Sequence, residues 1–520
     1  MARQIKITQT ASRSAFSELG IEQTVQRLIA QTQDLYLSDD IPWVIGYSGG
    51  KDSTATLQLI WTAIRKLPDD QRKKAVHVIS TDTLVENPIV AKWVGHSLKA
   101  MEHAADVQGM PVKPHRLVPA VRDRYWVNLI GRGYPAPRPM FRWCTSRLKI
   151  NPSNKFICDI AEQHGEAILV LGSRKQESGA RKKVLERYEF STRELLSRNS
   201  NPKLDRVWVY TPIDTWSNDD VWEYLVTEEN PWGYNNRDLL AIYRGATADN
   251  ECPLVVDTST PSCGDSRFGC FVCTLVDKDK SMQAMIKNDE EKQWMLPLSE
   301  FRNKYLDIKE DWGHRDFRRM DRSLVIHKDG LLHGPYKQRY REELLRRLLE
   351  AQELVGKTGP EHVRDLELIS LEELEEIRRL WVKEKHEIED SLPRIYVETT
   401  GRQYPKSDFD EGQTIRPEDV EVLKRVAASP DDTDELHFQL VRELLHIEQG
   451  YRTASRRAGI YEAFEKALES GAFYSEREAY DFALARDRRM EHARNTESGD
   501  RVAEETQIYG EDAGSEEAAP

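Results

Sequence analysis

No apolar run in the 520 residues approaches the roughly 18 needed to span a bilayer, so a membrane-spanning helix is not expected. The opening, MARQIKITQTASRS, lacks the apolar core of an export signal, and the cytoplasm is the expected location. Cysteine is scarce and lopsided. The six are Cys144, Cys158, Cys252, Cys263, Cys270 and Cys273, with none in the last 247 residues. A secreted disulfide scaffold would spread them differently. An excess of positive charge is also missing, since the formal net charge is -13. About half of that deficit sits in one place: residues 497–520 hold eight acidic residues and one Arg, and read as a disordered, solvated tail. Acidity of the whole chain therefore does not exclude a local nucleic-acid site.

What is present points to a globular chain of about two to four domains. Residues 1–40 read as a helical lead-in. Short apolar runs at 41–48, 75–81, 112–118, 166–173 and 206–213 read as strands. Helical spacing fills 52–67 and 88–107, the second beginning with Pro88. Strands alternating with helices predict an α/β fold with a parallel sheet core and helices on both faces. Ligands in such sheets bind beyond the carboxyl ends of the strands. The chemically informative loops, SGGKDS, STDTLVEN, GSRKQES and PIDTWSNDDVW, come directly after those ends. After about residue 290 the texture turns to charged amphipathic helices, as in YREELLRRLLEAQELV. The expected division is a helical lead-in (1–40), a nucleotide domain (41–290), a helical C-terminal region (291–495) and the acidic tail (496–520).

The hexapeptide SGGKDS lies between a strand and a helix. Gly49 and Gly50 let the backbone turn tightly and approach a ligand. Successive N–H groups at a helix start form an anion site. Ser48 and Ser53 add hydroxyls, Lys51 adds a cation, and Asp52 is placed to cap the helix or organise Mg2+. This is not a Walker A loop: Asp52 follows the Lys, and Ile45 stands where the first Gly is required.

Ser48, Gly49, Gly50, Asp52 and Ser53 match the pattern S-G-G-x-D-S, which resembles the PP-loop of the ATP-pyrophosphatase superfamily. That resemblance implies cleavage of ATP between its α- and β-phosphates, with Lys51 and Asp52 as catalytic residues and Mg2+ on the phosphates. Three further stretches resemble phosphoadenosine-phosphosulfate (PAPS) reductases. In LGSRKQESGAR, Gly172, Arg174, Glu177, Ser178 and Arg181 fall on that family's signature. YTPIDTWSNDDVWEYL resembles a second motif, and Asp82 and Glu86 in STDTLVEN fall toward the adenosine side. The resemblance assigns Ser48 to Ser53, Asp82, Gly172, Arg174, Glu177 and Arg181 to nucleotide binding. Asp220 serves equally to stabilise a helix start, and Trp216 and Trp222 read as core.

SCGDSRFGCFVCT supplies Cys263, Cys270 and Cys273, and a four-ligand site needs one more thiol. Cys144 in FRWCTSRLK is the preferred fourth, with Cys252 its rival; Cys158 reads as a buried core thiol. Spacing leaves zinc and iron–sulfur open. Resemblance to the iron–sulfur relatives of PAPS reductases implies a 4Fe-4S cluster, although those relatives carry paired cysteines where Trp143 precedes Cys144 here.

A catalytic C-terminal cysteine, which true PAPS reductases use, is missing, and a helical half is added. The whole set resembles the DndC family, the sulfurtransferase subunits of bacterial DNA phosphorothioation, and the related SspD family shares the core. The resemblance implies ATP-dependent replacement of a non-bridging DNA oxygen by sulfur. It also implies a cysteine desulfurase of DndA or IscS type as sulfur donor, and DndD and DndE as partners. The segment 122–149 interleaves Arg122, Arg124, Arg132, Arg138, Arg142, Arg147 and Lys149 with Tyr125, Trp126, Tyr134, Phe141 and Trp143. That pattern suits a DNA groove, and equally a solvated rim over buried aromatics. A tRNA thiolase, a PAPS reductase-type enzyme and a non-catalytic assembly subunit are the competing readings.

Overall fold

The computed structural model describes residues 14–175, 195–199, 201–246, 268–405, 417–430, 432, 434–452 and 457–490. They fall into two compact units. One holds residues up to 128 with 136–308 and 347–373; the other holds 129–135, 309–346 and the chain from 374 onward.

The first unit is built on a six-stranded sheet. Its strands are β1 (Trp43–Gly46), β2 (Val76–Thr81), β3 (Val112–Leu117), β4 (Ala167–Val170), β5 (Ser197–Arg198) and β6 (Val207–Tyr210). Their order is β3-β2-β1-β4-β6-β5. All pairings are parallel except β5 with β6. The two-residue edge strand β5 has no hydrophobic signature, so the sequence reading missed it.

Alternate residues serve opposite faces, as the period of a strand requires. Trp43, Ile45, Ile168, Val170, Trp208 and Tyr210 join one core with side chains of α2 (Lys51–Arg65) and α3 (Pro88–Gln108). Val44, Ala167, Leu169 and Val207 join the other, with Ile157, Ile160 and Ala161 of α4 (Asn151–His164). Burial on both faces explains why these strands read as continuous apolar runs. A third cluster packs α1 (Gly20–Leu37) and α2 against α5 (Asn218–Thr227) and α6 (Asn236–Gly245).

Local chemistry sets the helix starts. Asn87 caps α3 by accepting from the Ile89 N–H, with Pro88 in the first turn. Ser217 and Asp220 form a capping box on α5, so Asp220 does stabilise a helix start. Its carboxylate also accepts from Ser14 Oγ at 2.5 Å and from the Ala15 N–H at 3.0 Å. Trp216 and Trp222 are buried core residues, each 1% exposed. β1 has β2 and β3 on one side and β4 and β6 on the other, so the strand order reverses between β1 and β4. That reversal opens a crevice at the carboxyl ends of β1 and β4.

The second unit is largely helical. It contains the helices Ser391–Thr400, Leu436–Arg452 and Ile460–Gly471 and a two-stranded ribbon, Ile326–His327 with Gly330–Leu331. Its apolar core gathers Phe317, Leu324, Leu331, Leu436 and Phe473. Buried ion pairs cross it, among them Arg378 with Asp390 at 2.5 Å and Arg442 with Glu389 at 2.9 Å. Among the described residues, no helix is long and apolar enough to cross a membrane. The acidic tail lies outside the described residues.

Candidate functional site: a cleft at the sheet reversal

A cleft of about 1030 Å³ opens at the crevice. Ser48, Gly49, Gly50, Lys51, Asp52, Ser53, Asp82, Gly172 and Arg174 all line it, together with Glu86, Arg116 and Lys149. They come from the ends of β1, β2 and β4 and the segments just beyond them, except Arg116 on β3 and Lys149 just before α4. Glu177, Ser178 and Arg181 lie outside the described residues.

The hexapeptide forms a tight cradle. Gly49 takes φ +73°, where a Cβ would also lie 2.4 Å from Val94 Cγ2. Gly50 is extended and leads into the first turn of α2. Ser53 Oγ donates to the Gly50 carbonyl at 3.0 Å and accepts the Ser48 N–H at 3.2 Å; the two serine hydroxyls are 3.1 Å apart. These bonds hold the loop curled over the helix start, where the helix dipole favours an anion.

Asp52 sits between two cations. Lys51 Nζ reaches one carboxylate oxygen at 3.0 Å, and Arg174 Nε reaches the other at 2.6 Å. Arg174 is 4% exposed and also donates to the Trp216 carbonyl at 3.2 Å. In this arrangement Asp52 orients Lys51 and Arg174. Gly172 lies against the same turn: a Cβ there would be 2.8 Å from the Asp52 carbonyl oxygen. The hexapeptide and the Gly172–Arg174 segment thus meet at Asp52.

Asp82, at the end of β2, accepts from Arg116 Nε at 3.0 Å and Nη2 at 2.5 Å, and from the Leu84 N–H at 2.8 Å. Glu86 accepts from Thr83 Oγ1 at 3.0 Å and pairs with Lys149 at 3.2 Å. Next to them runs the C-x-x-C loop. Glu86 bridges Cys270, the Phe271 N–H donates to the Val85 carbonyl at 3.0 Å, and the Asn87 N–H donates to the Gly269 carbonyl at 3.2 Å. Thr83 Oγ1 is 3.4 Å from Cys270 Sγ. The loop carrying two cysteines therefore pairs with the segment that forms one wall of the cleft.

Arg302, 1% exposed, holds that loop from behind. It donates to the carbonyls of Cys273 at 2.9 Å and Asp277 at 3.1 Å, and to that of Val276. It also pairs with Asp307 at 3.0 Å, but its bonds to the cysteine loop go to backbone oxygens 25 to 29 residues away, which no local signal in the sequence marked.

Two thiols near the cleft are raised above their ordinary range. Burial pushes Cys270 up, reinforced by the charge of Glu86; burial likewise raises Cys144, with Cys273 near enough to add to the effect. Yet among the described residues no three His, Cys, Asp or Glu side chains group closely enough to hold a metal ion. Cys263 and Cys252 lie outside the described residues. Cys144, Cys270 and Cys273 alone thus do not form a ligand set for a 4Fe-4S cluster. Cys158 departs from the sequence reading: it is only partly buried, packs at the edge of the α4 core, and contacts the Lys203 carbonyl at 3.5 Å.

Most cations of the 122–149 segment are engaged within the protein. Arg124 pairs with Glu372 at 2.8 Å, Arg132 with Glu384 at 3.6 Å, Arg147 with Asp123 at 2.5 Å, and Arg138 donates to the Ile308 carbonyl at 3.2 Å. Tyr125, Trp126 and Trp143 are buried, while Phe141 is exposed. The buried rings are not open to stacking, whereas Phe141 is at the surface.

Residues 42–234 match the family of the phosphoadenosine phosphosulfate reductase domain. An uncharacterized protein of Methanocaldococcus jannaschii is 26% identical over 274 residues, covering 52% of this chain and 44% of that protein. The chain thus spans less than half the length of that curated relative. Among solved structures, a PAPS reductase from Candida auris in a phosphate complex is 14% identical, covering 44% of this chain and 93% of that one with a TM-score of 0.26. The U34-tRNA thiolase NcsA from Methanococcus maripaludis, with its 4Fe-4S cluster, is 14% identical over 56% of this chain and 81% of that one, also with a TM-score of 0.26. The domain match and the sheet describe a PAPS reductase-like core with a mostly parallel sheet flanked by helices, and a helical region comes after it in the chain.

Proposed function

We propose that this protein is the ATP-dependent sulfurtransferase subunit of a bacterial DNA phosphorothioation system, with a PP-loop site that adenylates a backbone phosphate. The observation that carries the reading is the shared wall: a phosphate cradle at Ser48–Ser53 opens into a cleft whose Thr83–Asn87 side pairs with the Cys270–Cys273 loop. Activation by a nucleotide and sulfur chemistry then have adjoining sites.

A phosphodiester oxygen is a very poor leaving group. In the first step a non-bridging DNA oxygen attacks the α-phosphorus of ATP. The new P–O bond forms, the bond to the β-phosphate oxygen breaks, and pyrophosphate departs with the electron pair. Lys51 and the loop amides offset the charge that builds on pyrophosphate, an effect worth about 3–4 kcal/mol per well-placed donor. Asp52 keeps Lys51 and Arg174 in position. Asp82 with Arg116 faces the adenosine, and Glu177 and Arg181 add to the site by their place in the signature. In the second step hydrosulfide attacks the activated phosphorus and AMP leaves with the former DNA oxygen; a persulfide serves equally if a second thiol then cleaves its S–S bond. Mg2+ on the phosphates supplies further charge neutralisation when bound. A cysteine desulfurase supplies the sulfur, and other Dnd subunits dock to the protein.

The test is chemical analysis of host nucleic acids after deletion of the gene. Loss of sulfur from nuclease-resistant DNA dinucleotides, restored by the wild type and not by Lys51→Ala, is expected. DNA sulfur that persists while tRNA thionucleosides vanish would make the protein a tRNA thiolase. Full restoration by Lys51→Ala would make it a non-catalytic subunit.

A further inference from the structure

Two polar groups at the phosphate cradle belong to no part of the loop motif. The first is Tyr243 of α6, beyond residue 234, where the domain match ends. Trp222 and Phe268 hold its ring in edge-on contacts, at centroid distances of 5.0 and 4.7 Å, and the residue is buried. Its oxygen accepts the Lys51 N–H at 3.3 Å and lies 3.3 Å from where a Cβ on Gly50 would stand. Burial raises the phenol well above its ordinary range, so the hydroxyl stays protonated. A phenol that accepts from the loop still has its own proton to donate.

The second group is Asn218, the first residue of α5. Its Nδ2 is buried and has no hydrogen-bond partner among the described residues. Asn218 nevertheless lines the same cleft as Lys51, Arg174 and Tyr243. A buried donor left unpaired is unfavourable, and a bound anion would relieve it.

We propose that the Tyr243 hydroxyl and the Asn218 amide complete the pyrophosphate end of the site, donating to the outer phosphates of ATP and to pyrophosphate after cleavage. This rests on the phosphate-cradle reading above and not on DNA as the acceptor. The loop amides grip the anion from the β1–α2 side; α5 and α6 bring donors from a second side. Both donors are uncharged, so they select for the geometry of a tetrahedral anion without adding net charge.

Calorimetric titration of the full chain with inorganic pyrophosphate, and separately with AMP, tests this. Tyr243→Phe keeps the ring and its packing while removing the donor; Asn218→Ala removes the amide. Each variant is expected to bind pyrophosphate about ten-fold more weakly or worse, with AMP affinity unchanged. Lys51→Ala is the reference for the cradle. Loss of pyrophosphate binding in Lys51→Ala with wild-type binding in the other two would overturn this inference and leave the cradle standing. Equal weakening toward pyrophosphate and AMP would also overturn it, by giving the two residues a purely structural part. A wild-type chain that binds no pyrophosphate would remove the cradle reading itself.

Discussion

A methyl group on Gly172 would press on the backbone of Asp52, lying 2.8 Å from its carbonyl oxygen and 2.9 Å from its carbonyl carbon. Backbone cannot swing aside as a side chain can, so the first turn of α2 must shift, and with it Lys51 and the bond from Arg174. Gly172→Ala is therefore expected to cost about 1–3 kcal/mol of stability and to lower AMP formation at least ten-fold. Gly450 is the contrast. It lies in the helix Leu436–Arg452, with nothing within 4 Å of a Cβ. Gly450→Ala is expected to stabilise by about 0.5–1 kcal/mol and to leave AMP formation unchanged. Chemical denaturation and a product assay on both variants check the pair. At this scale the sequence was legible where chemistry is local. SGGKDS carried its own glycines, hydroxyls and cation, and Gly172 and Arg174 sat in a recognisable signature. Tyr243 and Arg302 were not legible, because the fold alone brings them to the hexapeptide and to the cysteine loop.

Neighbouring elements carry a pH dependence of their own. His77 on β2 is 8% exposed, and its Nδ1 lies 3.0 Å from His115 Nε2 on β3, with Phe156 of α4 against both rings. Burial, then the nearby charges of His115, Lys113 and His164, push His77 down to about 4 from its ordinary 6.5. The folded protein thus holds this imidazole neutral where the unfolded chain has begun to protonate. Between those two values the unfolded state binds more protons, so stability rises with pH. The contribution is complete above about pH 6.5 and is lost as pH falls toward 4, amounting to at most about 3 kcal/mol. Melting temperatures between pH 7.5 and 4.5 should fall less steeply for His77→Asn than for the wild type; parallel curves would contradict this. The strands themselves were legible, since runs buried on both faces stand out in sequence. The histidine pair was not, because parallel register sets it: His77 lies beside Lys113, and the neighbouring pair in that register is Val78 with Pro114.

The whole molecule divides its work between a sheet that positions loops and a helical region later in the chain. The reversal of strand order between β1 and β4 gathers the phosphate cradle, the Gly172–Arg174 segment and the wall that pairs with the cysteine loop into one cleft. An α/β core was legible from the alternation of apolar runs, and the site from the polar loop at the end of each run. The docking of the C-x-x-C loop on residues 85–87 was hidden, since some 180 residues separate the partners. Likewise, charge counting left residues 122–149 open between a DNA groove and a solvated rim, because it cannot see the acidic partners that Arg124 and Arg147 find. The central claim is that ATP is split between its α- and β-phosphates to load AMP onto an acceptor. The most direct test incubates the purified protein with ATP labelled at the α-phosphorus or, in a parallel reaction, at the γ-phosphorus, together with Mg2+, DNA and hydrosulfide, and identifies the products. AMP and pyrophosphate in equal amounts, both lost in Lys51→Ala, are expected; ADP and inorganic phosphate would contradict the claim.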